Sequence, residues 1–407
     1  MSLVRISLVP PRKLTERSAF FISTNLSPNN MNRNDALTSS VIRFLRFPLI
    51  VMVVMIHSHF KVVSMGGIDY VFDLKEFPIY CNVSFLLSKL MASIAVPMFY
   101  VFSGYLFFKN DSSFTVNNYL GKLRKRLKNL LIPYIFWNIV VVLFYFLAQT
   151  FMPSMVSGNN KPIVDYNIID WLRVFWNYQD EMPICYQLWF LRDLMVVVLM
   201  SPIIYFAIKK SVFTIFVIGI VWLFGITTGI CGIDITAIFF FAIGSAFSIH
   251  KYDFVDFCKK IKIAGYIMSL LFIIIEVLIY NKRGSIDLLF VNTQSIVLYK
   301  LCTLSLMASC MNITIAIMQK GLLKTNGFLY ESNFFIYVCH ALPLTLFLKL
   351  LIRFVNPASD VQAILIYFAV IIITIIFCLL LFALMRKILP RFTSFILGNR
   401  TPQNSTH

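Results

Sequence analysis

Along the chain, runs of about twenty mostly apolar residues alternate with short polar stretches. Ten such runs can be drawn, at roughly 44–64, 84–108, 131–152, 187–208, 211–230, 233–249, 261–280, 294–318, 332–354 and 361–385. A helix needs about 20 apolar residues to cross the hydrocarbon core of a bilayer, so each run predicts a membrane span. The predicted fold is all-α, a polytopic transmembrane helical bundle of about ten spans. No internal repeat is visible, so the inverted-repeat signature of many secondary transporters is missing. Residues 1–40 break the pattern. They are polar, contain Pro10-Pro11 and hold no long apolar core. They do not read as a secretory signal. A disordered N-terminal tail is expected there, with Met31 a second candidate start. The domain reading is therefore 1–40 tail, 41–390 membrane domain and 391–407 short basic C-terminal tail.

Composition strengthens the membrane reading. Of 407 residues, 59% are hydrophobic and only 13% charged, about half the charged share of a soluble protein. The mean hydropathy is +0.81. A net charge of +18 would suggest nucleic acid in a soluble protein. Here cations sorted to one membrane face account for it, so membrane lipid is the expected partner and nucleic acid is not. With the N-terminus placed inside, the inward segments hold most of the loop Lys and Arg, which predicts both termini cytoplasmic. The outer loops carry acids instead: Asp69, Asp165, Asp170, Asp180, Glu181 and Asp287. The largest, 153–186, adds Trp171, Trp176, Tyr166, Tyr178 and Tyr186. Aromatic faces beside acids can grip a sugar, and interfacial anchoring is their commoner use. Eight Cys show no C-x-x-C pair, so no metal is expected. Cys81, Cys185 and Cys231 fall in or near predicted outer loops, and no disulfide is expected of them.

The stretch RFPLIVMVVMIH, from Arg46 to His57, puts a cation and an imidazole at the two ends of one apolar run. Ionisable residues inside a span are costly and mark function by default. Eleven helical residues rotate by about 1100°, three turns plus about 20°, so Arg46 and His57 share a face about 16 Å apart along the axis. Arg43 lies on the same side. His59 falls about 220° round from Arg46 and reads as a bystander. A guanidinium clamps phosphate by paired hydrogen bonds, and a neutral imidazole takes a proton from a hydroxyl. The competing reading makes Arg46 an interfacial anchor and His57 a helix-packing polar group.

Further segments fit this pair. PMFYVFSGY (Pro97–Tyr105) ends the second span, and KLRKR (Lys122–Arg126) leads into Ile132-Pro133-Tyr134. LWFLRD (Leu188–Asp193) opens the fourth span, and SNFFIYVCH (Ser332–His340) lies in the ninth. The sequence resembles the acyltransferase 3 family of ten-span membrane O-acyltransferases over about residues 40–390. The resemblance implies transfer of an acyl group, commonly acetyl from acetyl-CoA, to a hydroxyl of a carbohydrate or cell-surface glycan. Acyl-CoA would be the donor substrate, with no permanently bound cofactor. It implies a catalytic His57 and donor handling by Arg46, and its style suggests a bacterial plasma membrane. Many polysaccharide-modifying members carry an extra C-terminal hydrolase-like domain. This chain ends at His407 with a short basic tail, so the membrane domain is expected to complete the transfer or pass the acyl group on.

Coenzyme A is a polyanion. The 109–130 segment, read as an inner loop, offers Lys122, Arg124, Lys125, Arg126 and Lys128. Most of these suit orientation and lipid contact. Arg126 is the donor candidate, because it holds the basic position of the family-like pattern. Ser103 and Tyr105 are donor-contact candidates, with close helix packing at Gly104 the alternative. Arg192 and His340 are acceptor-binding candidates. Adjacent helical residues point about 100° apart, so Arg192 and Asp193 are expected to have different partners. For His340 a structural hydrogen bond competes. Lys300 and Glu276 stay unassigned. The rival function is an exporter of polysaccharide or lipid-linked sugar, which discontinuous helices in paired halves would favour; the sequence shows none. A third reading is a packing partner in a polysaccharide assembly machine.

Overall fold

A computed structural model describes residues 33–65, 68–109, 115–151, 161–178, 182–283 and 293–398. The stretches 1–32 and 399–407, and the outer-loop acids Asp180, Glu181 and Asp287, lie outside them.

The described chain is an all-α bundle. Helix α1 (Arg33–Ser58) starts well before the first apolar run, so the last part of the expected 1–40 tail is helical. A short antiparallel hairpin follows, β1 (Val62–Met65) and β2 (Ile68–Val71). The second span is one rod with a local change of winding. It runs from α2 (Pro78–Ser84) through a wide π turn (Phe85–Leu90) and a tight 3-10 turn (Met91–Ile94) into α3 (Ala95–Phe108). Helix α4 (Val116–Phe151) absorbs the expected basic loop: Lys122 to Lys128 are helical. On it Arg124, Lys125 and Lys128 are exposed, whereas Arg126 is buried. The amphipathic α5 (Ile168–Phe175) is capped by Asn167 and Asp170, each accepting the other's backbone N–H.

The remaining elements are α6 (Trp189–Leu199), α7 (Ser201–Lys210), α8 (Phe213–Leu223), α9 (Ile235–Ile249), α10 (Phe254–Lys260), α11 (Lys262–Arg283) and α12 (Thr293–Gln319). They are followed by α13 (Gly327–Cys339), α14 (Ala341–Val355), α15 (Asp360–Ile388) and α16 (Pro390–Ile396). Helix α16 buries Ile396 and Leu397, so the expected basic tail begins as a docked helix.

Among the described residues six helices are long and apolar enough to cross a membrane, and nine spans result if each bent pair is one. Each of the ten runs read from the sequence falls on one of these elements. The odd one out is α8, at 11 residues. The bent pairs are α6–α7 (59°), α9–α10 (116°) and α13–α14 (70°). Broken spans were not expected, yet two breaks carry a local cause. Pro202 sits in the first turn of α7 and Pro343 in that of α14, and a ring without an N–H removes a helix hydrogen bond. At the third, Lys251 adopts a left-handed φ of 55°. Large apolar side chains such as Ile203, Leu270, Leu365 and Leu380 are exposed around the bundle. That is the surface lipid requires.

The tightest crossing is α3 on α9. A Cβ added to Gly104 would lie 2.0 Å from the Phe241 carbonyl oxygen, and one added to Gly244 1.9 Å from that of Val101. Only glycine lets the two backbones approach this closely, which gives Gly104 the packing role.

Candidate active site

The cavity that matters lies along α1. It has about 710 Å³ of empty space, and both Arg46 and His57 line it. Ile50 and Val53, one and two turns on from Arg46, line it too, so a single α1 face borders it for three turns. The opposite walls come from Phe99 on α3, Gln187 in the 3-10 turn just before α6, Phe190 on α6, and Asn333 and Tyr337 on α13.

At one end Arg46 is buried, at 4% exposure. Its Nη1 donates to the Tyr330 hydroxyl at 2.7 Å. The Tyr330 ring also lies under both guanidiniums of its side, 4.7 Å from Arg43 and 5.1 Å from Arg46. A ring face attracts cations, so one phenol holds two arginines in register with the cavity. Arg126 reaches the same region from α4, buried over the Phe107 ring at 5.7 Å, and close enough to Arg46 for their charges to repel. Three arginines from two helices thus converge where the sequence expected a phosphate clamp. Tyr330 was not picked out by sequence; its one signal is an aromatic four residues into a helix that faces α1.

At the other end the His57 ring meets Tyr186 edge-on at 5.0 Å and the His340 ring at 5.3 Å. His340 sits in the break between α13 and α14. Its Nδ1 lies 3.0 Å from the Ile336 carbonyl and 2.8 Å from that of Tyr337. Both partners are acceptors, so Nδ1 carries the proton and Nε2 carries the lone pair. That Nε2 is buried and has no hydrogen-bond partner among the described residues. The last turn of α13 therefore supplies the carbonyls that fix one tautomer of a histidine packed beside His57. His59, read as the bystander, is turned away and hydrogen-bonds Ser84 Oγ at 3.0 Å.

Between the ends, Gln187 and Asn333 are held by their amide nitrogens. Gln187 Nε2 donates to the Val338 carbonyl at 3.1 Å and Asn333 Nδ2 to that of Tyr330 at 3.0 Å. Their side-chain oxygens are buried, with no hydrogen-bond partner among the described residues. A buried acceptor left unmatched is costly, which makes each a ready site for a donor group on a ligand.

Other sequence candidates fall elsewhere. Ser103 and Tyr105 are buried on α3 but do not line this cavity. Tyr105 packs on Phe254 at 6.1 Å, with Lys109 over its ring at 5.4 Å. Arg192 corrects the expectation of separate partners. Its Nη2 and Nε both lie 2.8 Å from Asp193 Oδ1. The long guanidinium stem folds back across the 100° that separates the two Cβ directions, and both residues are 3% exposed. Arg192 also reaches Cys231 Sγ at 3.0 Å and lies over Trp176, so its contacts are structural. Lys300 donates to the Trp222 carbonyl. All eight cysteines are free thiols. In the outer segment, Lys161 and the Asn167 N–H hold the Asp170 carboxyl below the usual range. Asp170 thus serves the α5 cap.

Long apolar helices around a mostly apolar cavity, with arginines at one end and a histidine pair at the other, define a multi-pass membrane protein with ionisable groups gathered inside its bundle. A family model described as an acyltransferase domain, acyltransferase 3, matches residues 40–383, and the chain belongs to that family. It is a membrane acyltransferase. No curated protein and no solved structure matches the chain.

Proposed function

We propose that this acyltransferase moves an acyl group, acetyl in the first instance, from acyl-CoA to a hydroxyl of a carbohydrate or cell-surface glycan, in a bacterial plasma membrane. The observation that carries the reading is the single cavity bordered by both Arg46 and His57. Arg46 and Arg126 are buried close enough for their charges to repel, Arg43 is exposed beside Arg46, and a polyanion relieves that repulsion. The phosphates of coenzyme A are such a polyanion, entering from the cytoplasmic side. The pantetheine arm carries two amide N–H groups, and the unmatched oxygens of Asn333 and Gln187 suit them. Its length fits the roughly 16 Å between Arg46 and His57.

In the transfer step His57 takes the proton of the acceptor hydroxyl. That oxygen bonds to the thioester carbonyl carbon, the carbon–sulfur bond breaks, and the proton passes to the leaving thiolate. The His340 ring, held by the Ile336 and Tyr337 carbonyls with its centroid 5.3 Å from that of His57, orients the His57 ring.

The test uses purified full-length protein and acetyl-CoA labelled in the acetyl group. Acyl release or transfer is expected to fall by about 10²–10⁴-fold in His57→Ala, the usual worth of a general base. Arg46→Ala is expected to raise the donor KM. The three broken spans would also suit export of a polysaccharide or lipid-linked sugar. Flux across vesicles that needs no acyl-CoA and ignores His57→Ala would replace the transferase reading with that one. Comparing surface-glycan mass with and without the gene locates the acceptor.

A further inference from the structure

The stretch 153–186, the largest outer loop by sequence, does not stand away from the bundle where it is described. It descends along α4. The Ile163 N–H donates to Gln149 Oε1 at 2.9 Å. Val174 on α5 packs into a buried cluster with Val142 and Ile163, and the Tyr134 hydroxyl donates to the Phe175 carbonyl. From Gln149 back to Tyr134, α4 runs for about 22 Å. The end of α5 therefore lies within the depth of the apolar run 131–152. The Cys185 N–H reaches Asn138 Oδ1, near the middle of that run, at 3.0 Å.

The faces of α5 are reversed from those of a helix lying on a protein in water. At about 100° per residue, Asp170, Arg173 and Val174 fall on one side. That side is turned inward, and all three line the cleft between α4 and α5. Ile168, Ile169 and Leu172 fall on the other side and are turned out, at 80%, 53% and 66% exposure. Aliphatic side chains turned outward are favourable against lipid and costly against water. Over the same depth α4, a candidate span, turns Leu143, Leu147 and Phe151 outward. Beside this face Trp171 meets Tyr166 edge-on at 5.8 Å, and such amphipathic rings gather at the level of lipid headgroups. The backbone agrees. Non-helical chain at membrane depth is tolerated where protein buries it. After α5 the Ile184 N–H is taken by the Val174 carbonyl and that of Cys185 by Asn138, and Pro183 and Cys185 are buried.

We infer that α5 is a re-entrant helix. It enters the leaflet at the C-terminal end of α4, with Ile168, Ile169 and Leu172 against lipid chains and its charged side closing the cleft against α4. Lipid, and not a second protein, covers the outward face, because that face continues the apolar surface of a span at the same depth. Insertion of α5 is independent of the chemistry at His57.

Power-saturation EPR on the full chain in phosphatidylcholine nanodiscs tests it. A nitroxide is attached at Ile168→Cys or Leu172→Cys, with Leu147→Cys as the lipid reference and Asn118→Cys as the water reference. The wild-type protein gives the background from native thiols. Both α5 labels are expected at least about 5 Å below the lipid phosphates, the depth interfacial helices reach. Their oxygen collisions are expected to match those of Leu147→Cys, and their collisions with a nickel chelate to fall several-fold below those of Asn118→Cys. Nickel-chelate collisions as frequent as at Asn118→Cys would put the face in water, and few collisions with either reagent would put protein over it. Each overturns the inference. Tryptophan emission supplies a second readout without a label. In nanodiscs of brominated phosphatidylcholine, the wild-type protein is expected to be quenched by a larger fraction than Trp171→Phe. Equal fractional quenching of the two also overturns it.

Discussion

The His57 and His340 side chains show how a single proton position can organise a site. With Nδ1–H committed to the Ile336 and Tyr337 carbonyls, His340 can only accept at Nε2, and its ring lies 5.3 Å from that of His57. It does not line the cavity between Arg46 and His57, so its proposed role is to position His57 rather than to react. His340→Phe is expected to lower kcat by roughly 10–10²-fold, within the range such groups contribute, with donor KM unchanged. His340→Gln, which can still accept a hydrogen bond, is expected to recover part of the loss. A parallel fall in KM and kcat would mark a purely structural role. Arg46 and His57 were legible in the sequence because helical rotation is a local property, fixed by residue spacing alone. Tyr330 and the packing of His340 beside His57 were not, since they depend on how α13 packs against α1. Arg192 misled for a related reason. The backbone sets Cβ directions about 100° apart, but a guanidinium on a long stem can swing back to its neighbour. Breaking a buried pair leaves an uncompensated charge and costs about 3–5 kcal/mol. Arg192→Ala is therefore expected to lower thermal stability sharply, and Arg192→Ala with Asp193→Ala to restore much of it, as read by melting of the purified protein.

Helix content and rough span positions were readable because twenty apolar residues in lipid have few alternatives to a helix. The breaks were harder to see, although Pro202 and Pro343 mark two of them. Hydropathy averages over a span and is blind to a bend within it. The same averaging hid the π turn at Phe85–Leu90 and merged the start of α4 into a loop. Close crossings are legible only as small residues. Gly104 and Gly244 meet backbone oxygens within 2.0 Å of an added Cβ, whereas nothing lies within 4 Å of one at Gly121 on α4. Backbone cannot yield as a flexible side chain does. Gly104→Ala or Gly244→Ala is expected to destabilise by about 1–3 kcal/mol or more, lowering the melting temperature and the yield of monodisperse protein. Gly121→Ala is expected to be neutral or slightly stabilising, since alanine is the better helix former. Equal melting of all three variants would show that α3 and α9 do not approach as described.

The molecule as a whole has two chemically different ends along α1, and the direction in which it sits in the membrane decides which substrate each can meet. Arginines mark the Arg46 end, and Lys61 and Lys89 lie near the other, so charge alone does not separate them; the surplus of Lys and Arg in alternate loops does. That bias predicts both termini and the Arg46 end in the cytoplasm, where coenzyme A thioesters are made, and the β1–β2 hairpin outside. Asn118 at the start of α4 and Val62 on the hairpin are both exposed, and most native cysteines are buried. In intact cells a membrane-impermeant maleimide is expected to label Val62→Cys above the wild-type background, and Asn118→Cys only after permeabilisation. The reverse pattern would put the arginine cluster on the side that lacks acyl-CoA, and a cavity running from Arg46 to His57 could then no longer admit that donor.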